Sequence, residues 1–210
     1  MNVLVLAPHP DDETIGCGGS VCLHARRGDR VTVVFLTSGE LGLKDLPARR
    51  ARAVREREAQ AAAKRLGIAR LHFLRHPDWF LGEHITAAAR DLRPILLREQ
   101  PDLVYAPHEA DAHPDHQATL SVLRSAARRT KIACAVRAYE VWTPLAAFDH
   151  VEDISRVMTT KLAALREHRS QLSEFDYLRA VRGLNAFRGE LAARCRFAEA
   201  FQTVSLGTPA

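Results

Sequence analysis

The apolar run Val3–Leu6, together with the polar residues that directly follow it, constrains the fold of this chain most strongly. An apolar run of this length, bounded by turn-forming residues, is typical of a buried β-strand. One histidine and three acidic residues then lie together in Ala-Pro-His-Pro-Asp-Asp-Glu, residues 7–13. In open α/β sheets, ligands bind where the strands end. The sequence therefore predicts a functional site in the loop after the first strand.

A second stretch has the same organisation. The apolar run Leu103–Ala106 leads through a short polar segment into His-Pro-Asp-His at residues 113–116. If the two strands lie close together in one sheet, their end loops converge and bring His9, Asp12 and His116 into position to ligate one divalent ion. Two imidazoles and a carboxylate, with open positions remaining, are a common catalytic zinc arrangement. The same donors also accept iron or manganese.

Strands and helices alternate along most of the chain. Beyond the first strand, hydrophobic patterning predicts strands at Val31–Leu36, Leu71–Leu74, Leu103–Ala106, Val136–Trp142 and Val151–Ile154. It predicts helices at Thr14–Arg27, Leu46–Leu66, His84–Gln100, His116–Arg129 and Ser155–Arg169. Neither the strand pattern nor the helix pattern assigns a secondary structure to residues 177–200. Strands separated by helices indicate parallel βαβ units. The expected fold is one α/β domain over residues 1–210, a Rossmann-like three-layer sandwich with a mostly parallel sheet and the metal site at the C-terminal ends of the strands.

The amino-acid composition argues against several classes of function. The 30 basic and 25 acidic residues give a net charge of +5, but they are mixed along predicted helices, as on solvated helix faces. No aromatic residues interleave with the basic clusters, so nucleic-acid binding is not expected. No apolar stretch is long enough to span a membrane, and no signal peptide is recognisable, so the expected location is the cytoplasm. The glycines after the first motif lack the spacing of a dinucleotide-binding turn.

The motifs at residues 7–13 and 113–116 together resemble those of the PIG-L/LmbE family of metal-dependent N-acetylglucosaminyl deacetylases. Further family patterns extend the resemblance over nearly the whole chain: Thr37-Ser-Gly-Glu40, Arg55 with Glu58 and Ala62, Leu66-Gly67, His168-Arg-Ser-Gln171 and Ala198-Glu-Ala-Phe201. The resemblance implies a zinc-dependent hydrolase, with iron as the alternative metal, that removes an acetyl group from an N-acetylglucosamine-type conjugate through metal-activated water. Family members are often oligomeric, so a homo-oligomer is an expectation here.

The resemblance also implies roles for individual residues. Asp11 corresponds to the general base, and His113 to the group that stabilises the oxyanion or protonates the leaving amine. Asp115, between the two histidines of its motif, is expected to orient an imidazole in the second coordination sphere. An exchange of roles stays open, with His113 as the third metal ligand and His116 as the acid. The residue two before His113 is Asp111, where some family members have a tyrosine that assists catalysis.

Two residues are implied in substrate binding. Arg55 corresponds to an arginine that hydrogen-bonds the substrate, although a surface arginine or one paired with Glu40 fits the sequence equally well. Asp78 lies in a loop that resembles a substrate-contacting loop of the family. Trp79, Phe80 and Trp142 are candidates to wall an apolar aglycone, although aromatic residues of a core look the same in sequence.

Two alternatives to the amino-sugar deacetylase remain. One is another single-metal hydrolase acting on a phosphoester or a non-sugar amide, although phosphoesterases usually use two metal ions. The other is a catalytically inactive sugar-binding module, which has no need of a base beside an open metal position. The expected partner is a small amino-sugar glycoconjugate, and nothing in the sequence selects its aglycone.

Overall fold

Seven strands form one sheet in the computed structural model, which describes residues 1–128, 130 and 132–206. They are β1 (Asn2–Ala7), β2 (Arg30–Thr37), β3 (Arg70–His76), β4 (Leu103–Pro107), β5 (Ala135–Tyr139), β6 (His150–Asp153) and β7 (Ala198–Thr203). Their order across the sheet is β3-β2-β1-β4-β5-β7-β6. The first five strands run parallel, whereas β7 is antiparallel to both β5 and β6. The strand order reverses between β1 and β4, and such switch points are where open α/β sheets bind ligands.

Helices cover both faces of the sheet. They are α1 (Asp12–Arg26), α2 (Ala48–Leu66), α3 (Ile85–Glu99), α4 (Pro114–Ala127), α5 (Met158–Leu165), α6 (Arg169–Leu172) and α7 (Tyr177–Arg188). Short turns of 3-10 helix precede α2 at Glu40–Gly42 and α3 at Leu81–His84. A turn of π-helix follows α7 at Gly189–Ala193. Among the described residues, no helix combines the length and apolarity needed to cross a bilayer.

The core is divided into two clusters by the sheet. Val3 and Val5 pack with α1, α2, α5 and α7 on one face, whereas Leu4 and Leu6 pack with α3 and α4 on the other. A parallel strand covered on both faces is apolar at every position, which explains the uninterrupted run in β1. The predicted α/β sandwich with a mostly parallel sheet is confirmed. The span of the domain, 1–210, stays a prediction, since residues 129, 131 and 207–210 lie outside the described part.

Several element boundaries differ from the sequence prediction. β5 ends at Tyr139 and not at Trp142, because the N–H groups of Trp142 and Thr143 donate to the carboxylate of Asp111 instead of to a strand. The helix predicted from residue 116 begins at Pro114, a residue favoured in the first helical turn, and its predicted last residue, 129, lies outside the described residues. The helix predicted over 155–169 is shorter, because α5 ends at 165 and a separate short helix, α6, starts after residue 168.

A buried ion pair joins the C-terminal segment to the core. Nζ of Lys161 donates to Oε1 of Glu199 at 2.7 Å and to Oδ1 of Asn185 at 2.9 Å. The carboxylate of Glu199 also accepts the backbone N–H groups of Gly19 and Ser20, both at 2.8 Å. The network therefore ties α5 and α7 to α1 and β7. It also explains why sequence patterning missed β7, since this strand carries a charged residue facing the core.

The packing of α1 against β5 leads to a stability prediction at Gly16. A Cβ added there would lie 2.1 Å from Cδ2 of Tyr139 and 2.8 Å from the carbonyl oxygen of Glu140. Gly16→Ala is therefore expected to lower the free energy of unfolding by about 1–3 kcal/mol, as overpacking does, in urea denaturation. Gly82→Ala is the matched control, because no atom of the described residues lies within 4 Å of its added Cβ. Equal stability of the two variants would contradict the prediction.

Candidate active site

The ends of two neighbouring strands bring the two sequence motifs together. β1 pairs with β4 in parallel, so their carboxyl ends lie side by side. Residues 8–11 join β1 to α1, and residues 108–113 join β4 to α4. His9, Asp12 and His116 are buried where these segments meet. The convergence on which the predicted metal site depends is therefore present.

Three donor atoms of these residues form what we call the donor triangle. Nδ1 of His9 lies 3.1 Å from Oδ2 of Asp12, and Nε2 of His116 lies 3.3 Å from each of those two atoms. Two ligands of one tetrahedral zinc ion, each about 2.1 Å from it, lie about 3.4 Å apart. The spacing and the chemistry of the donor triangle both fit a single divalent ion.

The outer ring nitrogens of both histidines contact buried carboxylates. Nε2 of His9 lies 3.1 Å from Oδ2 of Asp115, and Nδ1 of His116 lies 2.9 Å from Oδ1 of Asp111. A carboxylate that accepts from the outer nitrogen fixes the ring and leaves the inner nitrogen unprotonated for a metal. The carboxylate of Asp115 is itself fixed, because it accepts two backbone N–H groups from the segment after β3.

The charges around the donor triangle favour a cation. Burial alone would lower the pKa of His116, but Asp12 and Asp111 outweigh it and raise that pKa to about 9. Burial alone would raise the pKa of Asp12, yet His116 and His9 hold it well below its usual range. The buried carboxylates thus stabilise positive charge between them, which is the property that a metal site requires.

Two other groupings bring ligand atoms close together. His113 lies beside His9 and His116, with ring centroids 4.6 Å and 4.9 Å away. On its other side, His9 faces Asp78 and Asp115, each 3.1 Å from Nε2. Nδ1 of His113 accepts the backbone N–H of Asp115, which directs its lone pair into the chain. We favour the donor triangle, because its three atoms lie within 3.3 Å of one another and combine two imidazoles with a carboxylate.

Asp11 lines the same cavity as His9 and Asp12 of the donor triangle and has a strained backbone conformation. Its φ is +130°, and such a conformation, costing about 1–3 kcal/mol, persists only where the surroundings enforce it. Arg55 reaches it from α2, with Nη2 donating to the carbonyl of Pro10 at 2.8 Å and lying 3.3 Å from Oδ1 of Asp11. Burial raises the pKa of Asp11 to about 6 against the attraction of Arg55. A carboxylate with this pKa is suited to accept a proton near neutral pH.

His113 caps α4 and lines the cavity with its ring. Its Nδ1 accepts the backbone N–H of Asp115 at 3.2 Å, so a neutral ring carries its proton on Nε2. Burial lowers the pKa of His113 to about 4, and the nearby His9 and His116 contribute in the same direction. The ring is therefore a neutral hydrogen-bond donor at the cavity wall.

The cavity has a volume of about 240 Å³, and both charged residues and the aromatic rings of Trp79, Trp142 and Phe175 line it. Two buried polar atoms on its wall, Nε of Arg55 and Oδ1 of Asp78, form no hydrogen bond within the described part of the chain. The Asp78 oxygen lies 3.1 Å from Nε2 of His9, close enough for an ion pair, but Asp115 takes the hydrogen bond from that nitrogen. Buried polar groups normally have partners, so one donor and one acceptor of these two lining residues are left unsatisfied by the described part of the chain.

The structure brings all eight residues singled out in the sequence to one place. Arg55 is neither exposed nor paired with Glu40, the alternative that the sequence allowed; it is buried, and Glu40 pairs with Arg52. Asp115 contacts the imidazole of His9, which belongs to the other motif. The metal, base, acid and substrate roles themselves remain predictions.

Three residues of the site received no role from the sequence. Asp111 orients His116 from five positions away, a separation that no helical or strand pattern marks. Glu13 accepts the backbone N–H of Asp11 at 3.1 Å and so helps to hold its unusual conformation. His168 is buried, and its Nε2 lies 3.7 Å from Oε1 of Glu13. It therefore approaches the site.

The family model described as GlcNAc-PI de-N-acetylase, PIG-L, matches residues 4–127. The chain belongs to the PIG-L family. The matched span contains all three residues of the donor triangle, Asp11 and His113, and the resemblance found in the sequence is confirmed.

Individual relatives of this PIG-L protein align over most of its length. It is 32% identical over 183 residues to the probable N-acetyl-alpha-D-glucosaminyl L-malate deacetylase 2 of Bacillus cereus, covering 81% of this chain and 83% of the relative. It is 29% identical over 193 residues to the diacetylchitobiose deacetylase of Thermococcus kodakarensis, covering 82% and 70%. Its fold matches the N,N'-diacetylchitobiose deacetylase of Pyrococcus horikoshii with a TM-score of 0.85 at 27% identity, covering 97% and 84%.

Proposed function

We propose that this PIG-L protein is a metal-dependent N-deacetylase that hydrolyses the acetamido group of an N-acetylglucosamine-type conjugate to acetate and a free amine. The observation that carries the proposal is the donor triangle, which adjoins one cavity with a carboxylate of raised pKa, Asp11, and a hydrogen-bond donor, His113. The amino-sugar substrate is supported by the names of the relatives, which are deacetylases of N-acetylated sugars.

The proposed metal is zinc, held by His9, Asp12 and His116, with iron as the alternative. Two imidazoles and one carboxylate without a thiolate suit either ion. Bound there, the ion would lower the pKa of a water molecule and polarise the acetamide carbonyl. Asp111 and Asp115 support the site by fixing the two imidazoles.

The remaining chemistry is assigned to residues of the chain. Amide hydrolysis requires that a water molecule lose a proton as it adds to the carbonyl carbon, and that the nitrogen gain one as the C–N bond breaks. Asp11 is proposed to take the first proton and return it to the nitrogen, because its pKa of about 6 permits both transfers. His113 is proposed to donate from Nε2 to the carbonyl oxygen, where negative charge develops.

Arg55 and Asp78 are proposed to bind the sugar. Each contributes a buried polar atom without a hydrogen-bond partner among the described residues, one a donor and one an acceptor. A sugar hydroxyl both donates and accepts, so it satisfies either atom. Their position on the wall of the catalytic cavity is consistent with contacts to the ring that carries the acetamido group.

Metal removal tests the proposed function. Chelated protein is expected to release no acetate from a panel of N-acetylglucosamine conjugates, and zinc or iron is expected to restore release, because the cation supplies the activated water. His116→Ala is expected to lower the bound metal, measured by elemental analysis, since one donor of the triangle is lost. His84→Ala, at the start of α3, is the matched control and should retain metal and activity.

Two results would overturn this proposal in different ways. Full acetate release from chelated protein would rule out metal dependence. Normal metal binding without acetate from any conjugate would rule out the sugar amide as substrate, and phosphoesters would then be assayed with the same preparations.

A further inference from the structure

A second and larger cavity adjoins the catalytic one. This side cavity has a volume of about 590 Å³ and lies between α7 and the segment that follows β5. It shares Trp142, Phe175 and Tyr177 with the catalytic cavity. Ile15, whose N–H donates to the carbonyl of Asp11 at 2.8 Å, also lines it. The side cavity therefore begins within one helical turn of the proposed base.

Aromatic rings connect the two cavities. The ring centroid of Trp142 lies 5.7 Å from that of His113 and 6.3 Å from that of Phe175. The ring of Phe175 lies 5.6 Å from that of Tyr177. Trp142 and Phe175 are 50% and 56% exposed, which is high for such large apolar side chains. Exposed apolar surface that continues into a cavity is typical of a binding site.

The wall of the side cavity offers mainly apolar contacts. Val141, Pro144, Val181 and Leu184 contribute aliphatic surface. Two of the polar side chains are engaged elsewhere: Asn185 accepts from Lys161 and donates to the carbonyl of Ala198, while Asp176 caps α7 by accepting the N–H of Arg179. The side chain of Arg179 also lines the cavity and is exposed. Polar groups are therefore the smaller part of this wall. An apolar ligand would give up only its contacts with water on entering the side cavity.

We propose that the side cavity binds an apolar aglycone, an alkyl or aryl group attached to the amino sugar. This inference rests on the proposed function and names the substrate class for the same site. The volume lies within the range of about 300–1,000 Å³ typical of small-molecule pockets. With the acetamido group at the donor triangle and the sugar against Arg55 and Asp78, the aglycone extends past Trp142 into the side cavity.

The test uses methyl, butyl and hexyl glycosides of N-acetylglucosamine with the metal-loaded enzyme. Full burial of one methylene is expected to raise kcat/KM by about fourfold. Burial of only two of the five extra methylenes is therefore enough for the hexyl glycoside to exceed the methyl glycoside by at least about tenfold. Gly183→Phe should bring this ratio close to one, because Gly183 lines the side cavity and its added Cβ has no neighbour within 4 Å in the described part of the chain. Ala180→Trp, from another lining position, is the second filling variant.

Arg182→Phe is the matched control, since it adds the same side chain to an exposed neighbouring position of α7. It should keep the wild-type ratio. Acetate released at equal kcat/KM from all three glycosides would overturn the side-cavity proposal and leave the proposed function intact. A hexyl preference that survives in both filling variants would also overturn it.

A binding measurement separates this proposal from the chemistry. Hexyl and methyl glycosides of glucosamine, which have no acetyl group to lose, are titrated calorimetrically into wild-type protein and the three variants. The hexyl glycoside should bind at least about tenfold more tightly than the methyl glycoside to wild type and Arg182→Phe alone. This result stands even if no glycoside is deacetylated, in which case only the proposed function fails. Equal affinity of the wild-type protein for the two glycosides would overturn the side-cavity proposal.

Discussion

Replacing Asp11 by asparagine is expected to lower kcat by about 10²–10⁴-fold, the usual contribution of a general base, while metal binding is retained. The amide has the same shape but cannot accept the proton of the attacking water. Asparagine also tolerates positive φ better than most residues, so the conformation at +130° should survive the change. Acetate release and bound metal are measured on the same preparation.

The controls for this variant separate catalysis from folding. Asp45→Asn changes an exposed carboxylate near the start of α2 and should keep wild-type kcat. Arg55→Lys should lower activity as well, because lysine cannot donate to the carbonyls of Pro10 and Gly39 and face Asp11 at the same time. An Asp11→Asn enzyme with wild-type kcat and full metal content would contradict the proposed base.

Replacing Lys161 by methionine is expected to lower the free energy of unfolding by about 3–5 kcal/mol, because it leaves a buried carboxylate without its counter-ion. Lys161 and Glu199 are both fully buried, and their pairing joins α5 to β7. The effect is measured by urea denaturation. Such a loss is a large fraction of the total stability of a typical domain.

Two further variants test whether the cost comes from the unpaired charge. Lys161→Met combined with Glu199→Gln should be more stable than Lys161→Met alone, because glutamine keeps an acceptor for the N–H groups of Gly19 and Ser20 without a charge. Lys64→Met, on the exposed side of α2, should change stability by less than about 0.5 kcal/mol. Equal stability of Lys161→Met and Lys64→Met would refute the role of the ion pair.

Much of the catalytic cavity was predictable because its residues lie in short motifs at strand ends. His9, Asp11 and Asp12 directly follow β1, and His113 and His116 flank the start of α4. Local patterning locates a strand end, and parallel strands that neighbour each other bring such ends together. The contact between Arg55 and Asp11 was harder to predict from the sequence. Arg55 reaches Asp11 from the middle of a charged helix, where most arginines are solvated.

The carboxylates that contact the two imidazoles could not be predicted from the sequence. Asp115 contacts His9 from the other motif, and Asp111 reaches His116 through a loop conformation that also binds the N–H groups of residues 142 and 143. These contacts depend on how two loops and the end of β5 fit together. No periodicity in the chain encodes them.

The fold class and the residues that converge at the carboxyl ends of β1 and β4 could be predicted, because hydrophobic periodicity and strand-end motifs are local properties of the chain. Three features became visible only in the folded protein. β7 joins the sheet antiparallel, Lys161 neutralises Glu199 inside it, and a side cavity adjoins the catalytic one. Each of these depends on contacts between residues far apart in the chain. Their free energy comes from burial and pairing, which exist only once the elements have packed.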